Sequence, residues 1–482
     1  MNLRYLFSMY SLSYPKVIIY MLQTSEYRTS PYLNWLWRTK DFSKVQYRKS
    51  LEPTNKAKML LLLLSSGIGA EILAGIALII FGSISFTDAA WCWPIGLALL
   101  LAYPLIWPHL IIIPLEFGRV VFVLPNQSRQ IKAANKIFAS HPGVKIAVAG
   151  SYGKTTMKEL LYTVLSEGKR VVATPANKNV SSEHAKFASG LDGKEDILII
   201  EYGEGAPGDV SRFASYTHPT YGIITGIAPA HLDRYKTLAA AAADIFSLAI
   251  YLKNRNVYVN GEAEAAKDFI KPSYTIYTQE GVGKWKVDKV EVSSKGLNFN
   301  LKQGRTTLHL HSSLLGRHQI GPLALCAVLA LDLGLKKTQV ERSVAKTEPF
   351  PHRMQPYELG GAWIIDDTYN GNIEGIRVGT ELLKELSAKR KIYVTPGLVD
   401  QGEETAKVHS LMGKYIADAK PDLVVLMENS VTDYILEGLR KAGFKGEIQM
   451  VGDPLAFYTN LETFVAAGDL VLMQNDWPDN YA

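Results

Sequence analysis

Two cysteines, Cys92 and Cys326, are all that 482 residues carry. They allow neither a disulfide framework nor a Cys-x-x-Cys metal site, which fits a reducing compartment. An excess of one charge is also missing. Lys and Arg number 52 against 46 Asp and Glu, a formal +6, too mild to argue for a nucleic-acid partner. Repeats and low-complexity tracts are absent apart from an alanine run at 239–243. A chain of this length is expected to hold about three domains of ~100–200 residues.

Long apolar runs, by contrast, are present. Met59 to Gly82 has Glu71 as its one charge, and Trp93 to Leu115 is a second run. Each is long enough to span ~30 Å of hydrocarbon as a helix. The connection between them has no Lys or Arg. Basic residues crowd the outer flanks: Lys40, Arg48, Lys56 and Lys58 before the pair, Arg119, Arg129, Lys132 and Lys136 after it. The positive-inside rule puts both flanks in the cytoplasm, with Trp91, Trp93 and Trp107 at interfaces. Soluble buried helices would be equally apolar, but the charge asymmetry argues against them. The expectation is a multi-pass protein of the cytoplasmic membrane, with its remaining domains in the cytoplasm. Glu71 falls within the first span and is expected to be protonated or paired, His109 being one candidate partner. Pro94, Pro104, Pro108 and Pro114 should kink or break the second span. Lys16 to Leu22 reads as a short interfacial segment.

The next signal is KIAVAGSYGKTT at 145–156. Ile146 to Ala149 reads as a buried strand. Gly150 and Gly153 allow a tight turn that brings backbone N–H groups to an anion. Lys154 can reach a terminal phosphate, and Thr155 offers a hydroxyl to Mg²⁺. The helix that follows, about 155–167, shows Met157, Leu160, Leu161, Val164 and Leu165 on one face. A strand, a glycine loop and a helix N-terminus make a nucleotide site. The usual phosphate loop has four residues between its glycines; here there are two. An ordinary glycine-rich turn with an exposed lysine is the bland alternative.

Downstream, Val171 to Ala173 reads as a strand, followed by a polar loop with Asn177 and Asn179. Ile197 to Ile200 reads as a buried parallel strand ending in Glu201. A carboxylate at the C-terminal end of such a strand, beside a phosphate loop, is where Mg²⁺ is held in nucleotide sites. A solvated strand-end glutamate is the alternative. Another strand, Gly222 to Thr225, leads to a loop with His231 and Asp233 on what should be the same sheet edge. The alternating pattern at 284–311 predicts an antiparallel insertion of this domain. Residues 346–482 alternate short apolar strands (363–365, 392–395, 423–427, 448–451, 470–473) with helices (372–386, 403–417, 430–442, 454–466). That pattern predicts a mostly parallel, Rossmann-like sheet. His409 reads as structural. The fold class expected is therefore α/β: a phosphate-loop parallel-sheet domain and a Rossmann-like C-terminal domain, after two transmembrane helices. Boundaries are expected at 1–139 (membrane module, spans about 59–82 and 93–115), 140–345 (central ATP-binding domain) and 346–482 (C-terminal domain).

GSYGKTT, TPANKNV, EYGEGAPGD and GIAPAHLD, taken in order, resemble the ATP-binding domain of the Mur ligase superfamily, most closely its D-alanyl-D-alanine-adding members. The likeness continues through LLGRHQIGPLALCAVLALDLG (314–334), PHRMQ (351–355) and IIDDTYNGNIEG (364–375), so it covers about 140–482. The resemblance implies that Gly150, Ser151, Tyr152, Gly153, Lys154, Thr155 and Thr156 bind ATP phosphates. It implies Mg²⁺ on Thr155 and Glu201, joined by His231. It sets His318 on the adenine side, brings Arg353 to the phosphates, and lines nucleotide and acceptor with Asp367 and Asn370. Lys154, Glu201, His231 and Arg353 would carry the catalysis. The chemistry implied is acyl phosphate formation on a carboxylate, then amine attack to give a peptide bond and ADP. Partners would be a cell-wall precursor, an amino acid or dipeptide, the lipid bilayer and other envelope-synthesis proteins.

The chain departs from the family in four places. Two apolar spans stand where the family has a UDP-sugar domain, which opens the way to a lipid-linked acceptor. Ala242 occupies the place of a lysine that supports the metal site. Gln319 and Pro322 stand where asparagines are usual. Gln474, Asn475 and Asp476 replace a Lys-Gly-Ser run. Two other functions therefore remain open: a membrane poly-γ-glutamate-type or other amino-acid ligase, and an ATP-binding scaffold without ligase activity.

Overall fold

The computed structural model describes residues 8–25, 27–39, 42, 51–84, 89–176, 178–228, 235–369, 371–399, 401 and 404–475. Its chain forms two compact units, one from the first 126 residues and one from 127–479.

In the first unit, α1 (Tyr14–Thr24) and α2 (Thr29–Arg38) precede α3 (Asn55–Ile84), α4 (Cys92–Leu110) and α5 (Ile112–Gly118). Helix α3, and the helical stretch that begins with α4, are long and apolar enough to cross a membrane. They pack backbone to backbone through glycines. A Cβ on Gly96 would lie 2.5 Å from the Gly75 carbonyl oxygen, so neither position has room for a side chain. Leu62, Leu73, Ile80, Leu101 and Ile113 on the outer faces stay exposed.

The expected interfacial segment at 16–22 is instead part of α1. Its Val17, Ile18, Ile19 and Leu22 are buried in a cluster with Leu60, Leu64 and Ile68 of α3. Pro104 and Pro108 lie inside α4 without ending it; the break comes at Ile111. Pro108 has no N–H to donate to the Pro104 carbonyl four residues back. The Tyr14 hydroxyl donates to that oxygen at 3.0 Å. Tyr32 donates in the same way to the Pro108 carbonyl at 2.9 Å. Glu71 is paired, but not with His109: Trp107 Nε1 donates to Glu71 Oε2 at 2.5 Å. His109 instead contacts the Leu105 carbonyl through Nδ1 and accepts from Trp37 Nε1 at Nε2.

The second unit opens within α6 (Leu124–Ser140), whose Phe138 is fully buried. There follow β1 (Val144–Ala149), α7 (Lys154–Leu165), β2 (Val171–Ala173), α8 (Ser181–Ser189), β3 (Ile197–Glu201), α9 (Asp209–Thr217), β4 (Tyr221–Ile224), α10 (Leu238–Tyr251) and β5 (Val257–Asn260). Then come β6 (Thr275–Thr278), β7 (Gly281–Val282), β8 (Trp285–Ser293), β9 (Gly296–Gln303), β10 (Thr306–Ser312), α11 (Ile320–Asp332) and α12 (Lys337–Val344). Among the described residues these strands form one ten-stranded sheet in the order β10-β9-β8-β7-β6-β5-β4-β1-β3-β2. From β2 to β6 the pairing is parallel, and from β6 to β10 it is antiparallel. The antiparallel stretch expected as an insertion is thus a continuation of the main sheet. β1 lies between β3 and β4, and Ile146 to Ala149 are fully buried there, as a strand covered on both faces requires.

The C-terminal region holds β11 (Gln355–Leu359), β12 (Ala362–Asp367), α13 (Ile373–Glu385), β13 (Arg390–Thr395), α14 (Thr405–Ala419) and β14 (Leu423–Met427). It ends with α15 (Thr432–Lys441), β15 (Glu447–Val451), α16 (Pro454–Thr459), α17 (Leu461–Phe464) and β16 (Asp469–Gln474). Its sheet runs β11-β12-β16-β13-β14-β15, parallel except for the β11–β12 pair. The single helix expected at 454–466 is two short ones. Asn460 ends the first, its N–H and its Nδ2 both donating to the Ala456 carbonyl.

Candidate nucleotide site

The loop after β1 depends on its glycines. Gly150 has φ +148° and Gly153 φ +77°, both in the region that favours glycine. A Cβ on Gly150 would lie 2.2 Å from Thr225 Oγ1. The loop is tied to the end of β4. The Ser151 N–H donates to the Gly226 carbonyl at 2.6 Å, and Thr225 Oγ1 donates to the Tyr152 carbonyl at 2.5 Å. Ser151 Oγ is buried and has no hydrogen-bond partner, so a hydroxyl is left over for a ligand.

Two residues on α7 meet the end of β3. Thr155 Oγ1 donates to Glu201 Oε1 at 3.1 Å, and Asn179 Nδ2 reaches the same oxygen at 3.0 Å. Glu201 Oε2 accepts no hydrogen bond; the ammonium of Lys158 stands 3.5 Å away. A free carboxylate oxygen beside a threonine hydroxyl suits a hard divalent cation, which takes oxygen ligands. Thr155 and Glu201 are thus fitted to Mg²⁺. His231 lies outside the described residues, and among those described no cluster of three or more His, Cys, Asp or Glu is arranged to hold a metal. Thr156 follows in the first turn of α7, partly buried.

Lys154 turns toward a carboxylate that sequence reasoning missed. Its Nζ lies 2.6 Å from Glu204 Oε2 and also donates to the Gly150 carbonyl at 2.5 Å. Lys158 was missed as well. It is fully buried, donates to the carbonyls of Thr174 and Ala176, and so fixes the loop that carries Asn179. A signal existed for Lys158, because it stands three and seven residues before Leu161 and Leu165 and so shares their apolar face. His184, also missed, bridges the Tyr216 hydroxyl and the Glu201 carbonyl. Burial pushes its imidazole down to about 4, against the pull of that carbonyl, so it is neutral. Nε2–H then donates to Glu201, and Nδ1 accepts from Tyr216. Ala242 is fully buried in α10.

Of the remaining predicted residues, His318 precedes α11, and Arg353, Asp367 and Asn370 belong to the C-terminal region. The Arg353 guanidinium lies 4.5 Å over the Tyr369 ring. Asp367 accepts from Gln474 Nε2 at 2.8 Å and from the Met354 N–H at 3.2 Å. Burial raises its carboxyl to about 7 despite these donors and Arg353. Asn370 lies outside the described residues. His318 is lowered to about 4, first by burial and then by Arg377 of α13. The Tyr152 hydroxyl is pushed up to about 12, mainly by burial and next by Glu374 of α13. The structure therefore brings Gly150, Ser151, Tyr152, Gly153, Lys154, Thr155 and Glu201 together. The start of α13 and His318 adjoin them electrostatically, through Tyr152 and Arg377.

A strand–glycine loop–helix unit with a lysine and a threonine–glutamate pair is the framework on which α/β proteins hold nucleotide phosphates. Comparison with known proteins narrows this class. Residues 148–330 match the Mur ligase middle domain and residues 352–474 the Mur ligase glutamate ligase domain, together well over half of the chain. The chain belongs to the Mur ligase family.

Among similar proteins is UDP-N-acetylmuramoyl-tripeptide–D-alanyl-D-alanine ligase of Escherichia coli, 24% identical over 294 residues, covering 59% of this chain and 64% of that protein. The ligase of the same name from Borreliella burgdorferi is 27% identical over 310 residues, covering 61% and 64%. The chain thus spans less than two thirds of the length of these relatives. Among solved structures, MurF from Acinetobacter baumannii aligns with a TM-score of 0.63 at 19% identity, covering 74% of this chain and 78% of that one. MurF from Thermotoga maritima in complex with ADP aligns at 0.64 and 21%, covering 72% and 80%. These likenesses show the shared fold.

Proposed function

We propose that this chain is a membrane-anchored, ATP-dependent amide ligase of cell-wall precursor synthesis, of the D-alanyl-D-alanine-adding type. The observation that carries the reading is the pair of half-buried Thr155 and buried Glu201 beside the Lys154 loop, in a chain of the Mur ligase family. Substrates would be ATP, a precursor with a free carboxylate, and an amine. The carboxylate is a poor electrophile until phosphorylated, so an acyl phosphate forms first and the amine then displaces phosphate. Lys154, Ser151 Oγ and the N–H groups at the start of α7 would stabilise charge on the transferring phosphoryl group. Mg²⁺, held by Thr155 and Glu201, would neutralise charge between the phosphates. Arg353 is the guanidinium that the C-terminal domain would add, and its stacking on Tyr369 limits the conformations it samples.

Membrane anchoring is supported by α3 and α4, which lie outside the residues matched to the family and leave much apolar surface exposed. With this module where a UDP-sugar domain is expected, both UDP-linked and lipid-linked precursors are candidate acceptors. The test is ADP release by detergent-solubilised protein with each precursor and a panel of amines, beside Lys154→Ala. Release that needs both a precursor and D-alanyl-D-alanine, and is lost in the variant, is the expected result. Release only with glutamate or other amines moves the assignment to a different amino-acid ligase. ATP binding with no pair ever stimulating turnover sinks the ligase reading and leaves a scaffold.

A further inference from the structure

The lysine of the phosphate loop has all its donors engaged within the chain. An ammonium has three protons to donate. Those of Lys154 meet the Gly150 carbonyl at 2.5 Å, the Ser151 carbonyl at 3.4 Å and Glu204 Oε2 at 2.6 Å. The two carbonyls belong to the loop itself and stay with it. Glu204 belongs to a different segment, past the end of β3, so its side chain is the partner that can turn away while the loop stays intact. Its side chain is 4% exposed and that of Lys154 11%.

The pattern repeats one helical turn along. Lys158 of α7 stands 3.5 Å from Glu201, with side chains 0% and 1% exposed. Two lysines four residues apart on α7 therefore face two glutamates three residues apart at the end of β3. These four charges balance, and the partly exposed Glu159, 3.0 Å from Lys158, leaves no surplus of positive charge. A phosphate arriving at Lys154 adds negative charge and strands Glu204, and a buried carboxylate that loses its ammonium is strongly disfavoured.

We propose that Glu204 competes with the nucleotide phosphates for Lys154, and that the divalent cation entering with the nucleotide relieves this competition by compensating the displaced carboxylate. Glu204 is thus a positioning residue that couples nucleotide affinity to the cation. It keeps Lys154 aimed across the loop while the site is empty, and it penalises cation-free nucleotide. The inference rests on the nucleotide reading of the site.

The test is direct titration of a fluorescent ADP analogue into the full-length protein in detergent, in EDTA and in saturating Mg²⁺. In wild type, Mg²⁺ tightens binding. In Glu204→Gln, affinity in EDTA rises about tenfold and the Mg²⁺-to-EDTA affinity ratio falls about tenfold, within the usual range of coupling between two ligands. Glu204→Asp keeps the charge and retains most of the wild-type ratio. Unchanged or weaker binding by Glu204→Gln in EDTA overturns the inference while leaving the nucleotide reading intact. So does a wild-type affinity indifferent to Mg²⁺, a result that needs no variant to fold. If wild type binds no nucleotide in either condition, the nucleotide reading fails and this inference falls with it.

Discussion

Replacing Lys158 by methionine isolates the contribution of one buried ammonium. The methionine keeps an unbranched apolar stem at this fully buried position of α7, so packing is largely preserved. What disappears is the donor to the Thr174 carbonyl at 2.8 Å, the donor to the Ala176 carbonyl, and the positive charge 3.5 Å from Glu201. Removing one member of a buried pair costs ~3–5 kcal/mol, because the other charge is left uncompensated. A stranded buried carbonyl costs ~1–3 kcal/mol. Thr174 is buried, but Ala176 is exposed and its carbonyl can turn to water. The two penalties overlap, so the expected loss is about 4 kcal/mol.

The contact with Glu159, whose side chain is 31% exposed, adds little. The assay is urea unfolding followed on the transition of residues 127–479, with the midpoint compared at constant slope. Pairing Lys158→Met with Glu201→Gln should recover part of the loss, since the second change removes the stranded charge. A Lys158→Met loss below ~1 kcal/mol, the size of an exposed ion pair, would refute the reasoning.

Gly150→Ala should abolish nucleotide binding and cost ~2 kcal/mol or more, because its Cβ would lie 2.2 Å from Thr225 Oγ1; fluorescent-nucleotide titration and a melt check this. Asp367, with its carboxyl raised to about 7, keeps a proton in the folded protein that the unfolded chain releases near pH 4. Its stabilising effect is therefore complete at low pH and is lost as pH rises through about 7, a fall on the order of 3–4 kcal/mol that Asp367→Asn should remove from the unfolding-versus-pH curve. Tyr14→Phe leaves the Pro104 carbonyl without its donor and should destabilise the first unit by ~1–3 kcal/mol, read as a lower melting temperature in detergent.

Local pattern made much of the second unit legible. The apolar face of α7, the runs at β1 and β3, and the strand–helix alternation after residue 346 all follow from spacing within short windows. Sheet order did not, since it depends on which strands meet across long separations. The alternating residues at 284–311 identified antiparallel strands, but nothing in them shows that β7 joins them to the parallel part of the sheet. In the site, the loop glycines, Lys154, Thr155 and Glu201 were readable because their residue types and positions fit a known chemistry. Glu204 was not, because its partner is fifty residues away in sequence. The pairing of Glu71 with Trp107 rather than His109 is of the same kind. Both residues lie on α4, and only the glycine-to-glycine fit of α3 against α4 decides which one meets the carboxylate.

The central place of β1 sets the order in which the site can come into being during synthesis. Its neighbours β3 and β4 both follow it in the chain, and the phosphate loop closes on Thr225 and Gly226. Thr225 leaves the ribosome 75 residues after Gly150. At ~5–20 residues per second that interval is about 4–15 s. For most of it the nascent chain carries the whole GSYGKTT sequence without the Thr225 and Gly226 contacts that close the loop. Nucleotide cannot serve as a template for the early chain, and a ribosome stalled before residue 226 should display a chain that does not retain ATP.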